Sequence, residues 1–337
     1  MKRTTIKDVA AYLHYSVSTV SRALSDDRNV HPETKRRVLE AAEHLGYRRN
    51  HIASRLRTGR YGCIGVVVNE MFTPFASMVL EGIQSVIHDH GWQVLIVNSH
   101  GDSVRERRNL RLMEHSVIDG MIVCPCPVGD NTDEFSRIIE KGMPMVFFSR
   151  KLEGVRVPRV VVNDYDKAFF LTDHLVHAGL RRIVHLRGPR SVENFTEIHR
   201  GYRDALARHG IIEDDRLVID VSLKQGEGCM AVRKMLESRM DFDAVFACND
   251  LLAIEVMQTL QEQGMHIPED VAVAGFSGSP LSQLVYPPLT TVEPCLFDMG
   301  EKAACLLLDI IKTGYTDRDA SVIVDAGICL RASTHKK

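Results

Sequence analysis

The run Ser16-Val17-Ser18-Thr19-Val20-Ser21-Arg22-Ala23-Leu24 reads as a short helix with two unlike faces. Ser16 is a candidate N-cap, and Val20, Ala23 and Leu24 share an apolar face at helical spacing. The opposite face presents Val17, Ser18, Ser21 and Arg22. Upstream, Thr5-Ile6-Lys7-Asp8 fits a capping box, and Ile6, Val9, Ala10 and Leu13 recur as a first helix. Only His14 and Tyr15 separate the two helices, so the turn is tight. Downstream, Pro32 suits the first position of a third helix, which should carry Val38, Leu39, Ala42 and Leu45 inward and stop at Gly46. Three short helices with a tight first turn describe a helix-turn-helix unit, whose second helix enters the major groove of DNA. Small polar residues and one arginine suit base edges and phosphates. A three-helix protein-interaction bundle is the alternative.

Charge supports the first reading. The chain has 337 residues, with 42 Lys and Arg against 44 Asp and Glu, a net of 42 − 44 = −2. Residues 1–60 hold 13 basic and 6 acidic side chains, net +7, which leaves the remainder at −9. A basic head on an acidic body suggests a nucleic-acid module attached to something else. Residues 47–60 are mostly polar and basic, with Ile52, Ala53 and Leu56 on a small apolar stripe and Asn50 as a candidate cap. A helix this short is marginal in water and orders only against a partner; the other reading is a plain linker.

Beyond residue 60 apolar runs alternate with helical segments. Ile64–Val68, Val94–Val97, Met121–Val123, Met145–Phe148, Ile183–Leu186, Ala244–Ala247 and Val271–Ala274 read as strands buried on both faces. Intervening helices imply parallel sheets with crossovers, and the strand count suits two Rossmann-like lobes. Ligands in such folds bind at the carboxyl ends of strands. No phosphate loop, nucleophile elbow or HExxH motif occurs, so no enzymatic activity is expected. Gly226 and Gly228 read as a helix start, and His88-Asp89-His90 as a solvated helix end. Eight scattered cysteines without a CxxC pair read as small buried residues in a reducing compartment. Neither a cofactor nor a metal ion is expected. The N-terminus lacks the apolar core of a signal peptide and no stretch suits a membrane span, so a cytoplasmic, nucleoid-associated protein without membrane contact is expected.

Taken in order, Thr5-Ile6-Lys7-Asp8-Val9-Ala10, Ser16 to Leu24, Pro32-Glu33-Thr34, Gly46-Tyr47, Asn50, Ala53 and Leu56 resemble the DNA-binding head of LacI/GalR-family transcriptional regulators. Phe242 to Asp250, Ile267-Pro268-Glu269-Asp270-Val271, Val273-Ala274-Gly275-Phe276 and Pro288 to Val292 resemble the family's effector domain. The resemblance implies a small all-α helix-turn-helix domain plus an α/β two-lobed periplasmic-binding-protein-like (type I) domain with parallel sheets. The implied division is 1–48 for the head, 49–60 for a hinge helix and 61–337 for effector binding and dimerisation. The N-lobe would be about 61–162 plus 294–324, the C-lobe about 163–293 plus 325–337.

The implied function is a repressor of a carbohydrate or nucleoside operon, binding a near-palindromic double-stranded operator as a homodimer. A small-molecule effector between the lobes would set its affinity. Val17, Ser18 and Arg22 would read bases, and Thr5, Ser16, Thr19, Ser21 and Thr34 would contact phosphates. Leu56, with Ala53 beside it, would wedge the minor groove. The effector would meet Asn69, Phe75, Arg150, Asn194, Arg200, Asn249, Asp250 and Ser277, an aromatic with amides and charges that suits a sugar or nucleoside. This chain departs from the family at His14, where a turn glycine is usual, at His31 for a capping serine, and at Arg49 for a proline. In the cleft Ser277 replaces an acid, Ile198 an arginine and Ala76 a second aromatic. A solute-binding protein and a regulator that answers to a protein partner are the rival readings. No heptad tail follows the last strand-like run, so a dimer is expected rather than a coiled-coil tetramer.

Overall fold

A computed structural model describes residues 4–25, 27–47, 60–71, 73–126, 131–315 and 317–335. The chain divides into two compact units, Met1–Tyr61 and Gly62–Lys337. The hinge residues Ala53 and Leu56, and Arg49 before them, lie outside the described residues.

The head consists of α1 (Ile6–Leu13), α2 (Val17–Leu24) and α3 (Pro32–His44). Val9, Ala10, Val20, Ala23, Val38 and Ala41 are its buried core. Each helix start is capped as its residue types allow. The Asp8 carboxylate accepts the Thr5 backbone N–H at 2.7 Å and its hydroxyl at 2.8 Å. Ser16 Oγ accepts the Thr19 N–H at 3.1 Å, and His31 Nδ1 accepts the Glu33 N–H at 3.3 Å. An imidazole nitrogen thus does at α3 what a serine hydroxyl does elsewhere. His14 takes the left-handed conformation, φ 54°, that closes the turn between α1 and α2. Histidine enters this region more readily than bulky residues do, which explains why the turn survives without glycine. Leu39, expected inward, is 56% exposed. Val38, Ala41, Ala42 and Leu45 already fill the i, i+3, i+4, i+7 stripe, and residue 39 falls outside it.

The body contains two six-stranded sheets. The first comprises β1 (Cys63–Val68), β2 (Gln93–Asn98), β3 (Gly120–Val123), β4 (Met145–Phe148), β5 (Arg159–Val162) and β11 (Ser321–Val324), in the order β11-β5-β4-β3-β1-β2. All its pairings are parallel. The second comprises β6 (Ile183–Arg187), β7 (Val218–Asp220), β8 (Ala244–Ala247), β9 (Ala272–Phe276), β10 (Thr290–Pro294) and β12 (Ala326–Cys329), in the order β12-β10-β9-β8-β6-β7. Only its β10–β12 pair is antiparallel. The chain passes between the sheets after β5, after β10 and between β11 and β12. The seven apolar runs correspond to β1–β4, β6, β8 and β9. The strands absent from that reading, β5, β7, β10, β11 and β12, are short and carry polar residues at sheet margins or lobe crossings.

Helices α4 (Pro74–Asp89), α5 (Ser103–Glu114), α6 (Thr132–Glu140) and α11 (Leu296–Thr313) flank the first sheet. Helices α7 (Asp164–His177), α8 (Glu193–Arg208), α9 (Glu227–Glu237) and α10 (Asp250–Glu262) flank the second. Gly226 starts α9 at φ 87°, and His88 to His90 end α4 exposed. Where α4 crosses α11, Gly82 faces the Phe297 carbonyl and Gly300 faces the Val79 carbonyl, with no room for a Cβ on either. Gly300→Ala is therefore expected to lower stability by about 1–3 kcal/mol, since rigid backbone must move apart. Urea unfolding of the variant against the parent tests this, and an unchanged midpoint would contradict the packing argument.

Candidate functional site

The two units present separate candidate surfaces. On the head, packing of Val20 and Ala23 turns the other side of α2 outward. Val17 is 42% exposed, and Ser18 and Arg22 are exposed as well. Thr5 and Ser16 are exposed at the starts of α1 and α2, while Thr19, Ser21 and Thr34 are half-buried. Besides capping α2, Ser16 Oγ lies 2.7 Å from Ser18 Oγ and 2.8 Å from Thr19 Oγ1. One helix face thus carries a methyl-bearing side chain, small hydroxyls and a guanidinium, the set that reads a major groove.

In the body, a cleft partly open to solvent lies between the two sheets at the carboxyl ends of their strands. The N-lobe contributes Glu70, Thr73, Pro74 and Phe75 after β1, Ser149 and Arg150 after β4, Val162 and Met299. The C-lobe contributes Asp164, Asn194, Phe195, Ile198 and Leu223, then Cys248, Asn249, Leu251, Phe276, Ser277 and Ser279 from the ends of β8 and β9. Polar groups stand unpartnered here. Arg150 Nε and Asn194 Oδ1 are buried without a hydrogen-bond partner. Burial and the nearby Glu197 charge raise the half-buried Asp164 carboxyl to about 8. Burial also pushes the Cys248 thiol up to about 12, so this residue lines the wall as a neutral group. An ion pair between Lys151 and Glu193 joins the two lobes beside the cavity.

The expected effector residues divide. Phe75, Arg150, Asn194, Asn249 and Ser277 line the cavity. Asn249 also caps α10, accepting the Leu252 N–H at 2.8 Å, and Ser277 Oγ accepts the Asp250 N–H at 3.2 Å. Asn69, Asp250 and Arg200 do not line it. The Asn69 amide bonds the Pro125 carbonyl at 2.8 Å and accepts from Cys126 Sγ at 3.1 Å, bracing the Cys124-Pro125-Cys126 turn. Asp250 is buried; it accepts from Thr291 Oγ1 at 2.5 Å and the Ser279 N–H at 2.6 Å. Burial raises its carboxyl to about 6 against the opposing pull of those donors. It shapes the Ser277–Ser279 rim from behind. Arg200 stacks over the Tyr165 ring at 4.3 Å and pairs with Glu197 at 2.6 Å.

Asp164, Glu70, Ser149 and Ser279 are cavity residues that residue-by-residue reading did not identify. For Asp164 a signal existed: it directly follows β5, and the ends of parallel strands gather ligand-binding groups. With β5 absent from the apolar runs, no strand end marks the aspartate in the sequence.

A helix-turn-helix head together with a two-lobed body around a ligand-sized cleft defines a DNA-binding regulator that responds to a small molecule. Residues 5–50 match the family of bacterial regulatory proteins, lacI family, and residues 172–334 match the periplasmic binding protein-like domain. The HTH-type transcriptional regulator CelR of Thermobifida fusca is 31% identical over 340 residues, covering 98% of each chain. The ribose operon repressor of Bacillus subtilis (strain 168) is 30% identical over 308 residues, 91% of this chain and 92% of that one. A solved structure of the transcriptional regulator CelR–cellobiose complex superposes with a TM-score of 0.74 at 27% identity, over 98% of this chain and 100% of that one. The chain belongs to the lacI family of bacterial regulatory proteins and is a DNA-binding transcriptional regulator. Among the described residues no helix is long and apolar enough to cross a membrane.

Proposed function

We propose that this regulator represses a carbohydrate or nucleoside operon as a homodimer on a near-palindromic operator, with a sugar or nucleoside effector between its lobes setting operator affinity. The observation that carries the effector reading is a pair of buried unpartnered polar atoms at the cleft, Arg150 Nε and Asn194 Oδ1, with the Asp164 carboxyl lining the same space. Buried donors and acceptors without partners are costly, and a polyhydroxylated ligand supplies both. Phe75 and Phe276 add apolar walls on which a ring can stack. The relatives named for ribose and cellobiose support a sugar.

The dimer reading rests on exposed apolar side chains in one C-lobe segment: Leu281 at 40%, Leu284 at 79% and Tyr286 at 85% exposure. In this reading the protein works in the cytoplasm beside the chromosome and the cleft binds its ligand without chemical turnover. An effector that prefers one lobe arrangement shifts the population of DNA-binding forms by its differential affinity.

A thermal-shift screen with pentoses, hexoses, disaccharides and nucleosides tests the proposal. A true effector raises the melting temperature in proportion to log concentration and changes operator affinity in parallel. Silence across the panel would favour a protein partner as the signal.

A further inference from the structure

A cluster of titratable side chains lies on the C-lobe at the opposite end of α7 from Asp164, unrelated to the cleft. Asp173 and His177 stand one turn apart on α7, and His209 follows the last residue of α8. The carboxylate is bracketed by the two rings. His209 Nε2 lies 2.8 Å from Asp173 Oδ1, and His177 Nδ1 lies 3.2 Å from Asp173 Oδ2. The rings meet edge to face at 4.9 Å. One ligand atom from each residue falls within 4.8 Å of the other two.

We propose that Asp173, His177 and His209 form a binding site for a divalent transition-metal ion of the zinc class. Two imidazoles and one carboxylate are a ligand set such ions take, with the fourth position left to water. Around a tetrahedral ion, ligand atoms at usual bond lengths sit roughly 3.4 Å apart, so closing the triangle needs only small side-chain movements. The outer contacts also fit. The Asp173 backbone carbonyl, 2.8 Å from His177 Nδ1, holds that ring beside the carboxylate. The α7–α8 packing fixes the backbones: Gly201 of α8 sits against the Tyr165 carbonyl with no space for a Cβ. His209 and Asp173 are largely sheltered while His177 is open to solvent, giving a held pair and a side through which an ion enters. Arg208 adds an unfavourable positive charge near Asp173, and its guanidinium lies over the Phe169 ring at 5.7 Å. Sequence spacing hides the site because His209 comes from a different helix.

Calorimetric titration of the chelator-treated full chain with ZnCl2 tests the proposal, using the parent, His177→Ala and His209→Ala. The parent should bind one more zinc ion than either variant, or bind its tightest ion at least tenfold more strongly. Saturating zinc should raise its melting temperature by a few degrees, and by less in the variants. His177 is exposed, so His177→Ala keeps the test valid if His209→Ala fails to fold. Equal stoichiometry, affinity and melting shift in the parent and His177→Ala would overturn the site.

Discussion

Arg22→Ala is expected to weaken operator binding by about 1–3 kcal/mol, a loss on the order of 10- to 100-fold, and to relax preference at one position in each half-site. Val20 and Ala23 are buried against α1 and α3, which holds α2 in one rotation about its axis. Arg22, in the last turn between those two residues, is thereby directed to solvent with Val17 and Ser18. A guanidinium on a fixed helix can address a guanine edge through two parallel donors, and that geometry discriminates bases where a lysine would not. Fluorescence anisotropy with a selected operator and scrambled duplexes at constant salt gives the measurement. If scrambled duplexes lose as much affinity as the operator, Arg22 contacts phosphate and the base-reading role is wrong.

Asp164→Asn is expected to separate effector binding from stability. The carboxyl loses more hydration on folding than it regains in contacts, so its protonated form is favoured in the folded chain. A raised pKa means the stabilisation it reports is fully present below the ordinary value of 3.8 and is lost as pH climbs through about 8. Asparagine carries no such dependence. The variant should gain on the parent by at least about 1.4 kcal/mol between pH 4 and pH 9, one pKa unit's worth. Chemical denaturation at both pH values reads this difference, and a pH-independent gap would refute the assignment. Effector binding is expected to weaken by about 1–3 kcal/mol, because an amide cannot reproduce the donor and acceptor pattern of a protonated carboxyl. A protein that gains stability above about pH 8 yet binds its ligand worse is the signature of a carboxyl retained for function rather than for folding.

Much of the head was readable from local chemistry. Caps, apolar stripes and the short His14-Tyr15 link depend on residues within one or two turns, and all three helices lie where those signals put them. Leu39 shows the limit even there, because a leucine beside a complete stripe has no room inward. In the body, buried strands announced themselves as unbroken apolar runs. The short mixed strands β5, β7 and β10–β12 did not, since a strand at a sheet margin or lobe crossing is defined by its neighbour rather than by its own composition.

The cleft divides the same way. Phe75, Arg150, Asn194, Asn249 and Ser277 follow from strand ends and a family resemblance, whereas Asn69 and Asp250 carry equally suitable groups and turn them elsewhere. A polar side chain near a strand end satisfies whichever partner the fold brings closest. For Asn69 that partner is a turn 56 residues downstream, and for Asp250 a threonine 41 residues on. By itself the order of amino acids determined helix starts and stops, the buried strands and the asymmetry of charge between head and body. Only the tertiary structure decided which polar atoms remain unpaired at the meeting of the two lobes, because pairing is settled by contacts between segments far apart along the chain.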